Sequence, residues 1–92
     1  MLEQIKKIQG INHTDFDEII NQQINAAKLD LKSIGIVDTL VDNPDDLVKS
    51  AIISFVLSFL AVDDSERIMW DSSYNLQKDL LRHHIEYIDE VY

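Results

Sequence analysis

The sequence contains no cysteine, only one proline and only two glycines among 92 residues. The absence of cysteine excludes disulfides, thiolate metal sites and a cysteine nucleophile. So few glycines and prolines favour long helices joined by short connections. The apolar run 51–62 contains two serines and is much shorter than the roughly 20 apolar residues that a bilayer span needs. We therefore expect a buried helix there, and no membrane partner.

Basic residues are also scarce, with 8 lysines and arginines against 17 acids and a net charge of −9. Such a surface repels duplex DNA and anionic membranes, so we expect no specific nucleic-acid binding. Two interpretations of the charge are compatible. It keeps a chain with many apolar residues soluble, or it forms an acidic surface that DNA passes without adhering.

Apolar residues recur at helical spacing along nearly the whole chain, which predicts an all-α fold. We expect a single domain over residues 1–92, built as a small bundle of about four helices. The first helix is predicted over Leu2–Gln9. The second is predicted over Thr14–Ile34, with Thr14 as its N-cap and Gly35 at the C′ position, where φ is positive. A connector over 36–42 should cover the end of the core with three apolar residues, Val37, Leu40 and Val41.

The third predicted helix is apolar on almost all sides. Asn43 is its expected N-cap and Pro44 its first helical residue, and the helix should run to Ala61. Only Lys49 and a stripe of three serines, Ser50, Ser54 and Ser58, interrupt its apolar surface. A helix of this kind must be buried on all sides, so we expect it to be the least exposed helix. Because a short chain has few elements to cover it, we expect part of the cover to come from another chain. The serine stripe should allow close approach of another helix, either within the subunit or between subunits, and packing within the subunit is the commoner case.

The fourth predicted helix begins at a capping box formed by Asp63 and Glu66. Its apolar arc contains Met69, Trp70, Tyr74, Leu76, Leu80 and Leu81. Trp70 and Tyr74 are expected in the core. The arc continues through Ile85, Tyr87, Ile88 and Val91, so the apolar periodicity marks no end of this helix before the C-terminus. A helix break at His83-His84 is also compatible with the pattern.

No pattern predicts a catalytic, cofactor-binding or metal site. His83 and His84 are adjacent and point about 100° apart on a helix, which makes joint binding of one ion difficult. The acid pairs Asp45-Asp46 and Asp63-Asp64 lie at helix starts, where capping accounts for them. The serine stripe has no base at useful spacing, so nucleophilic catalysis has no support. We therefore predict that the protein is not an enzyme and has no cofactor.

Residues 83–92 form a candidate docking tail; the alternatives are that they extend the last helix against its own core or that the first helix, Leu2–Ile8, folds back over them. The four-helix core looks complete by Leu81, yet apolar and aromatic residues continue beyond it, and aromatic residues are enriched at the centres of interfaces. Leu29 lies off the main apolar stripe of the second helix, close to its polar side. The predicted interface residues are Leu29, Ile85, Tyr87, Ile88 and Tyr92.

The order of these features resembles the phage head–tail connector (adaptor) family of long-tailed bacteriophages. The shared features are a short first helix, an acid-capped second helix and the exit Gly35-Ile36. They are followed by the start Asn43-Pro44-Asp45, a buried helix ending in Phe59-Leu60, an Asp-rich turn, and an aromatic helix with Glu66-Arg67, Tyr74 and Leu80-Leu81. The resemblance covers the chain from Leu2 to Arg82.

The resemblance implies a structural virion-assembly protein. In this family a ring of about twelve subunits docks beneath the portal, extends the DNA channel and receives the next completion or tail protein. The implied partners are the portal protein, neighbouring copies and the downstream head-completion or tail protein. The implied location is the head–tail junction of the virion, with the host cytoplasm as the place of assembly. Two alternatives are a free acidic inhibitor that mimics DNA and a small regulatory binding protein.

Overall fold

The computed structural model describes residues 1–84 and 87–88, and five α-helices lie within them. They are α1 (Leu2–Gln9), α2 (Asp17–Ser33), α3 (Asp38–Asp42), α4 (Asp46–Leu60) and α5 (Asp64–Arg82). The all-α prediction is confirmed, and the four long helices correspond to the four predicted ones. The short α3 lies where the sequence predicts only a connector.

The core is organised around α4, which packs against α5, α2 and α1. In the described residues α4 has more buried positions than any other helix, so the prediction that it is the least exposed is confirmed. Its buried residues are Val48, Ala51, Ile52, Ser54, Val56 and Leu57. Full burial of each aliphatic side chain contributes about 1.5–3 kcal/mol. The cover of α4 is nevertheless incomplete, since Phe55 is half-buried and Phe59 is 53% exposed.

The predicted apolar stripe of α2 faces this core, as do Ile5 of α1 and Val41 of α3. The buried stripe residues are Ile20, Ile24, Ala27 and Leu31. The ammonium of Lys6 lies 2.8 Å from the Asp17 carboxylate and joins α1 to the start of α2. Lys6 is buried and Asp17 is partly exposed, so this ion pair connects α1 to α2 at the edge of the core.

Two predicted helix starts are wrong by a few residues. The helix α2 begins at Asp17 after Phe16, and Thr14 instead accepts a turn hydrogen bond from the backbone N–H of Asp17. Before α4 the N-cap is Asp45, whose side chain accepts a hydrogen bond from the Val48 N–H at 3.0 Å. Asn43 and Pro44 therefore precede the helix. Asn and Asp are almost equal as N-caps, so local sequence did not distinguish the two positions.

The other predicted helix ends agree with the structure. Asp63 caps α5 by accepting a hydrogen bond from the Glu66 N–H at 2.8 Å. Gly35 has φ of 94°, the left-handed conformation that ends a helix without the penalty of a Cβ. At its other end α5 stops at Arg82, so the helix breaks at His83 and does not follow the apolar arc further.

The serine stripe of α4 faces α5, which confirms the prediction of packing within the subunit. The Ser54 and Ser73 hydroxyls lie 3.3 Å apart, and the Gln77 amide donates a hydrogen bond to Ser50 at 2.9 Å. Small side chains let the two helix backbones approach closely. This contact is the largest between any two helices in the described part of the chain.

Candidate interaction surfaces

An open groove of about 550 Å³ lies between α2 and α5, with α4 as its floor. The floor is formed by Phe55, Ser58 and Phe59. The walls combine one buried aromatic residue with polar and charged side chains: Gln23, Asp30, Arg67, Asp71, Tyr74, Asn75 and Lys78. An open groove with an apolar floor suits the side chains of another protein surface better than a small molecule, which binds in an enclosed site.

A polar cluster joins the two walls of this groove. The buried hydroxyl of Tyr74 on α5 donates a hydrogen bond to Asp30 on α2 at 2.5 Å. The Lys78 ammonium lies 3.5 Å from the same carboxylate and 5.0 Å from the centre of the Tyr74 ring. Burial, and then the adjacent Asp30 carboxylate, raise the pKa of Tyr74 well above its ordinary value of 10.0. The cluster therefore keeps a neutral phenol as a donor and links the two walls directly.

A second apolar surface, here called the α5 ridge, consists of Met69, Leu76 and Leu80. Their exposed fractions are 54%, 63% and 45%. The sequence places all three in one arc with Trp70, Tyr74 and Leu81, but the structure buries only Tyr74 and Leu81 of that arc, with Trp70 partly covered. The apolar arc is thus wider than the contact with α4, and its outer part faces away from the core.

Tyr87 and Ile88, which follow α5, contact residues that precede α4 in the chain. The Val37 N–H donates a hydrogen bond to the Tyr87 carbonyl at 2.8 Å, and Ile88 forms an antiparallel bridge with the buried Ile36. The Tyr87 ring packs partly against the core, and its hydroxyl donates a hydrogen bond to Asp45. Two of the predicted interface residues, Tyr87 and Ile88, therefore contact their own chain.

Asp45 connects this segment to the start of α4. Burial by itself would raise its pKa, but hydrogen bonds from the Tyr87 hydroxyl and from the backbone N–H groups of Val48 and Leu47 outweigh that effect. The pKa of Asp45 consequently lies below its ordinary value of 3.8. One carboxylate thus caps α4 and holds Tyr87.

Of the remaining predicted interface residues, the structure describes only Leu29. Leu29 is 67% exposed on the side of α2 that faces away from the core. Ile85 and Tyr92 lie outside the described residues. The interface prediction as a whole remains a prediction. Sequence reasoning did not identify the groove, because it forms where residues from three separate helices meet.

Within residues 1–84 and 87–88, no group of three or more acidic or histidine side chains is arranged to hold a metal ion. No helix in the described part combines the length and the apolar character needed to cross a bilayer.

Comparisons with known proteins place the chain in a family. Neither the curated proteins nor the solved structures include a significant match. The family model described as phage connector protein matches residues 1–87, which is nearly the whole sequence. The chain therefore belongs to the phage connector protein family and has a structural connector role.

Proposed function

We propose that this protein is the head–tail connector of a long-tailed bacteriophage. About twelve copies form a closed ring beneath the portal, extend the DNA channel and receive the next completion or tail protein. The observation that carries the proposal is the family match over residues 1–87. The protein acts at the head–tail junction of the virion and assembles there from the host cytoplasm.

The surface of the folded chain supports an assembly role. The groove floor leaves Phe59 exposed, and the α5 ridge leaves three large apolar side chains in solvent. Contiguous exposed apolar surface is typical of sites where other proteins bind. The net charge of −9 is consistent with a channel component that does not retain DNA.

We also propose that the C-terminal segment contacts a partner, either the portal or a neighbouring subunit. The predicted contacts are Leu29 on α2 together with Ile85, Tyr87, Ile88 and Tyr92 of the C-terminal segment. The Tyr87 hydroxyl donates a hydrogen bond to Asp45 and the Tyr87 carbonyl accepts one from the Val37 N–H, so Tyr87 has a resting position on its own chain. Partner binding then either displaces the segment or uses its outer face.

Electron microscopy of the chain mixed with its cognate portal tests the proposal. We expect a ring of additional density beneath the portal, and no such density with a chain of unrelated sequence. The absence of a complex at high protein concentration would contradict the connector assignment.

Truncation tests the contribution of the C-terminal segment. A chain lacking residues 83–92 should still unfold in one cooperative transition, at a somewhat lower temperature because the Tyr87 contacts are lost. It should not assemble onto the portal. A truncated chain that assembles normally, or one that is unfolded by itself, would show that this segment is not a docking element.

A further inference from the structure

We propose that the place on this chain where Tyr87 and Ile88 lie is a binding site for an extended, basic segment of a different protein. The site consists of Ile36, Val37 and Asp45 and is here called the Ile36–Asp45 site. The inference rests on the proposed function in one respect, since the C-terminal segment leaves this site when it binds its partner. The second protein therefore binds only after the first contact has formed.

The two resident residues show which chemistry the site recognises. The Val37 N–H donates a hydrogen bond to the Tyr87 carbonyl at 2.8 Å, the Asp45 carboxylate accepts one from the Tyr87 hydroxyl, and Ile36 pairs with Ile88 in an antiparallel bridge. The first contact is to the backbone and fits any extended segment. The other two select a ring with a hydroxyl group and an apolar side chain next to it. A segment of another protein with a tyrosine followed by an aliphatic residue can make the same contacts.

The departure of Tyr87 leaves a prepared site. The Oδ1 atom of Asp45 accepts the capping hydrogen bond from the Val48 N–H at 3.0 Å, whereas the Tyr87 hydroxyl bonds to Oδ2. The cap bond does not involve Tyr87, and Oδ2 becomes free to accept a new donor. The Val37 N–H loses its acceptor at the same time, and Ile36, which is 1% exposed in the single chain, loses its bridge partner. Unpaired polar groups beside apolar surface favour a replacement occupant.

The charge of the site favours a basic occupant. Between residues 32 and 46 the chain has one base, Lys32, and four acids. The acids are Asp38, Asp42, Asp45 and Asp46. The Lys32 ammonium lies 2.9 Å from the Asp42 carboxylate and also attracts Asp38. One ammonium does not balance four carboxylates, so the site attracts cations.

The resident segment does not match this charge. Residues 85–92 contain three acids, Glu86, Asp89 and Glu90, and no lysine or arginine. Like charges on the segment and on the site repel each other, and a second copy of the chain brings the same three acids. A segment that keeps the tyrosine and the aliphatic residue but carries lysine or arginine beside them binds more tightly. Charge therefore selects a different protein as the occupant.

Fluorescence anisotropy with two labelled decapeptides tests the site on the full chain. One peptide has the sequence of residues 83–92, and in the other lysine replaces the three acids. The receptor is the full chain with Ile88→Asn, which weakens the hold of the resident segment. At low salt we expect the lysine peptide to bind at least about tenfold more tightly than the acidic peptide, and we expect salt to reduce this difference.

A disulfide lock shows whether the peptide binds at this site. Residues opposite each other in an antiparallel pair have Cα atoms about 4.5–5.5 Å apart, a distance that a disulfide can span. Because the natural chain has no cysteine, Ile36→Cys combined with Ile88→Cys gives one defined bond. We expect the oxidised chain to lose binding of the lysine peptide and the reduced chain to regain it. The reduced chain is the control for the two substitutions and serves as a second receptor.

Two further peptides make the result specific. A lysine peptide of the same composition in scrambled order has the same charge and should bind only weakly. A lysine peptide with phenylalanine at the position of Tyr87 should bind several-fold less tightly, because it cannot donate to Asp45.

Three outcomes would overturn the proposal. Equal binding of the lysine peptide to the oxidised chain, or of the scrambled peptide to the receptor, would show general attraction to a chain of net charge −9. Binding of the acidic peptide as tight as that of the lysine peptide would identify a second copy as the occupant. Failure of the lysine peptide to bind either the Ile88→Asn chain or the reduced chain would show that no site exists.

The portal experiment separates this inference from the proposed function, since the peptide titrations need no portal. If the chain forms a ring beneath the portal but the lysine peptide does not bind, the connector assignment stands and the site fails. If the peptide binds as expected but no ring appears beneath the portal, the site stands and the connector assignment fails.

Discussion

Tyr74 on α5 and Asp30 on α2 share a hydrogen bond across the groove, and this bond is one of the few direct links between those two helices. Both helices otherwise pack on α4. The Lys78 ammonium reinforces the link from the solvent side. The phenol–carboxylate pair therefore links the two groove walls directly, and conservative substitutions of either residue test that link.

We expect Tyr74→Phe to reduce the free energy of unfolding by about 1.5–3 kcal/mol, the usual contribution of a hydrogen bond to a charged group. The ring remains, so its edge-to-face contact with Phe55 is retained. Urea unfolding of wild type, Tyr74→Phe, Asp30→Asn and the double variant gives the coupling energy. Strictly additive effects would show that the bond does not stabilise the fold.

The same bond predicts a loss of stability in alkaline solution. The pKa of Tyr74 is raised in the folded chain, so the folded state holds its phenolic proton more tightly than the unfolded state does. Its contribution is complete below pH of about 10, where the unfolded phenol ionises, and decreases as the pH rises further. The difference in stability between wild type and Tyr74→Phe should therefore shrink above that pH. A constant difference up to pH 11 would contradict the assignment.

Phe55 and Phe59 form a matched pair on the same face of α4. Phe55 is half-buried and contacts Tyr74, with ring centres 5.1 Å apart, so we expect Phe55→Ala to cost about 2–3 kcal/mol. This is less than the 3–5 kcal/mol typical of a fully buried ring. Phe59→Ala should cost less than about 1 kcal/mol in the single chain, because the ring is largely exposed there. Thermal unfolding of the two variants checks the order, and equal losses would contradict the burial pattern.

Asp45 predicts a loss of stability in acid. Its folded pKa lies below the ordinary 3.8, so its carboxylate stabilises the folded chain above pH of about 4. That contribution disappears as the pH falls through the folded pKa. At pH 7 we expect Asp45→Ala to cost about 1 kcal/mol or more, the usual cost of losing an N-cap, and the cost should shrink at low pH. Asp46→Ala is the control, since Asp46 is exposed and makes no cap bond. Tyr87→Phe removes the hydroxyl that donates to Asp45, so it measures the contribution of that hydrogen bond to stability.

The charge predicts no measurable binding to duplex DNA at physiological salt. With a net charge of −9 the chain has few cations to replace the counterions of the phosphate backbone. A fluorescence-anisotropy titration with labelled duplex checks this, using a basic DNA-binding protein as the positive control. Tight binding that weakens steeply with salt would contradict the prediction and would require different partners.

Local sequence alone determined the features that depend on neighbouring residues. The spacing of Ile20, Ile24, Ala27 and Leu31 predicted the buried face of α2, and Gly35 marked its end because only glycine enters the left-handed region freely. Asp63 was recognised as the cap of α5 because a short acceptor there reaches the N–H three residues later. These predictions needed no knowledge of distant contacts.

Tertiary structure decided the rest. Asn43 and Asp45 have chemically similar capping side chains. Asp45 is the residue that caps α4, and it also accepts a hydrogen bond from the distant Tyr87. Met69, Leu76 and Leu81 lie in one apolar arc of α5. The contact with α4 covers only part of that arc, so Leu81 is buried whereas Met69 and Leu76 are exposed. Periodicity shows which side chains are apolar, whereas burial depends on where the other helices lie. The groove over Phe59, and the ridge on the opposite side of α5, follow only from that arrangement.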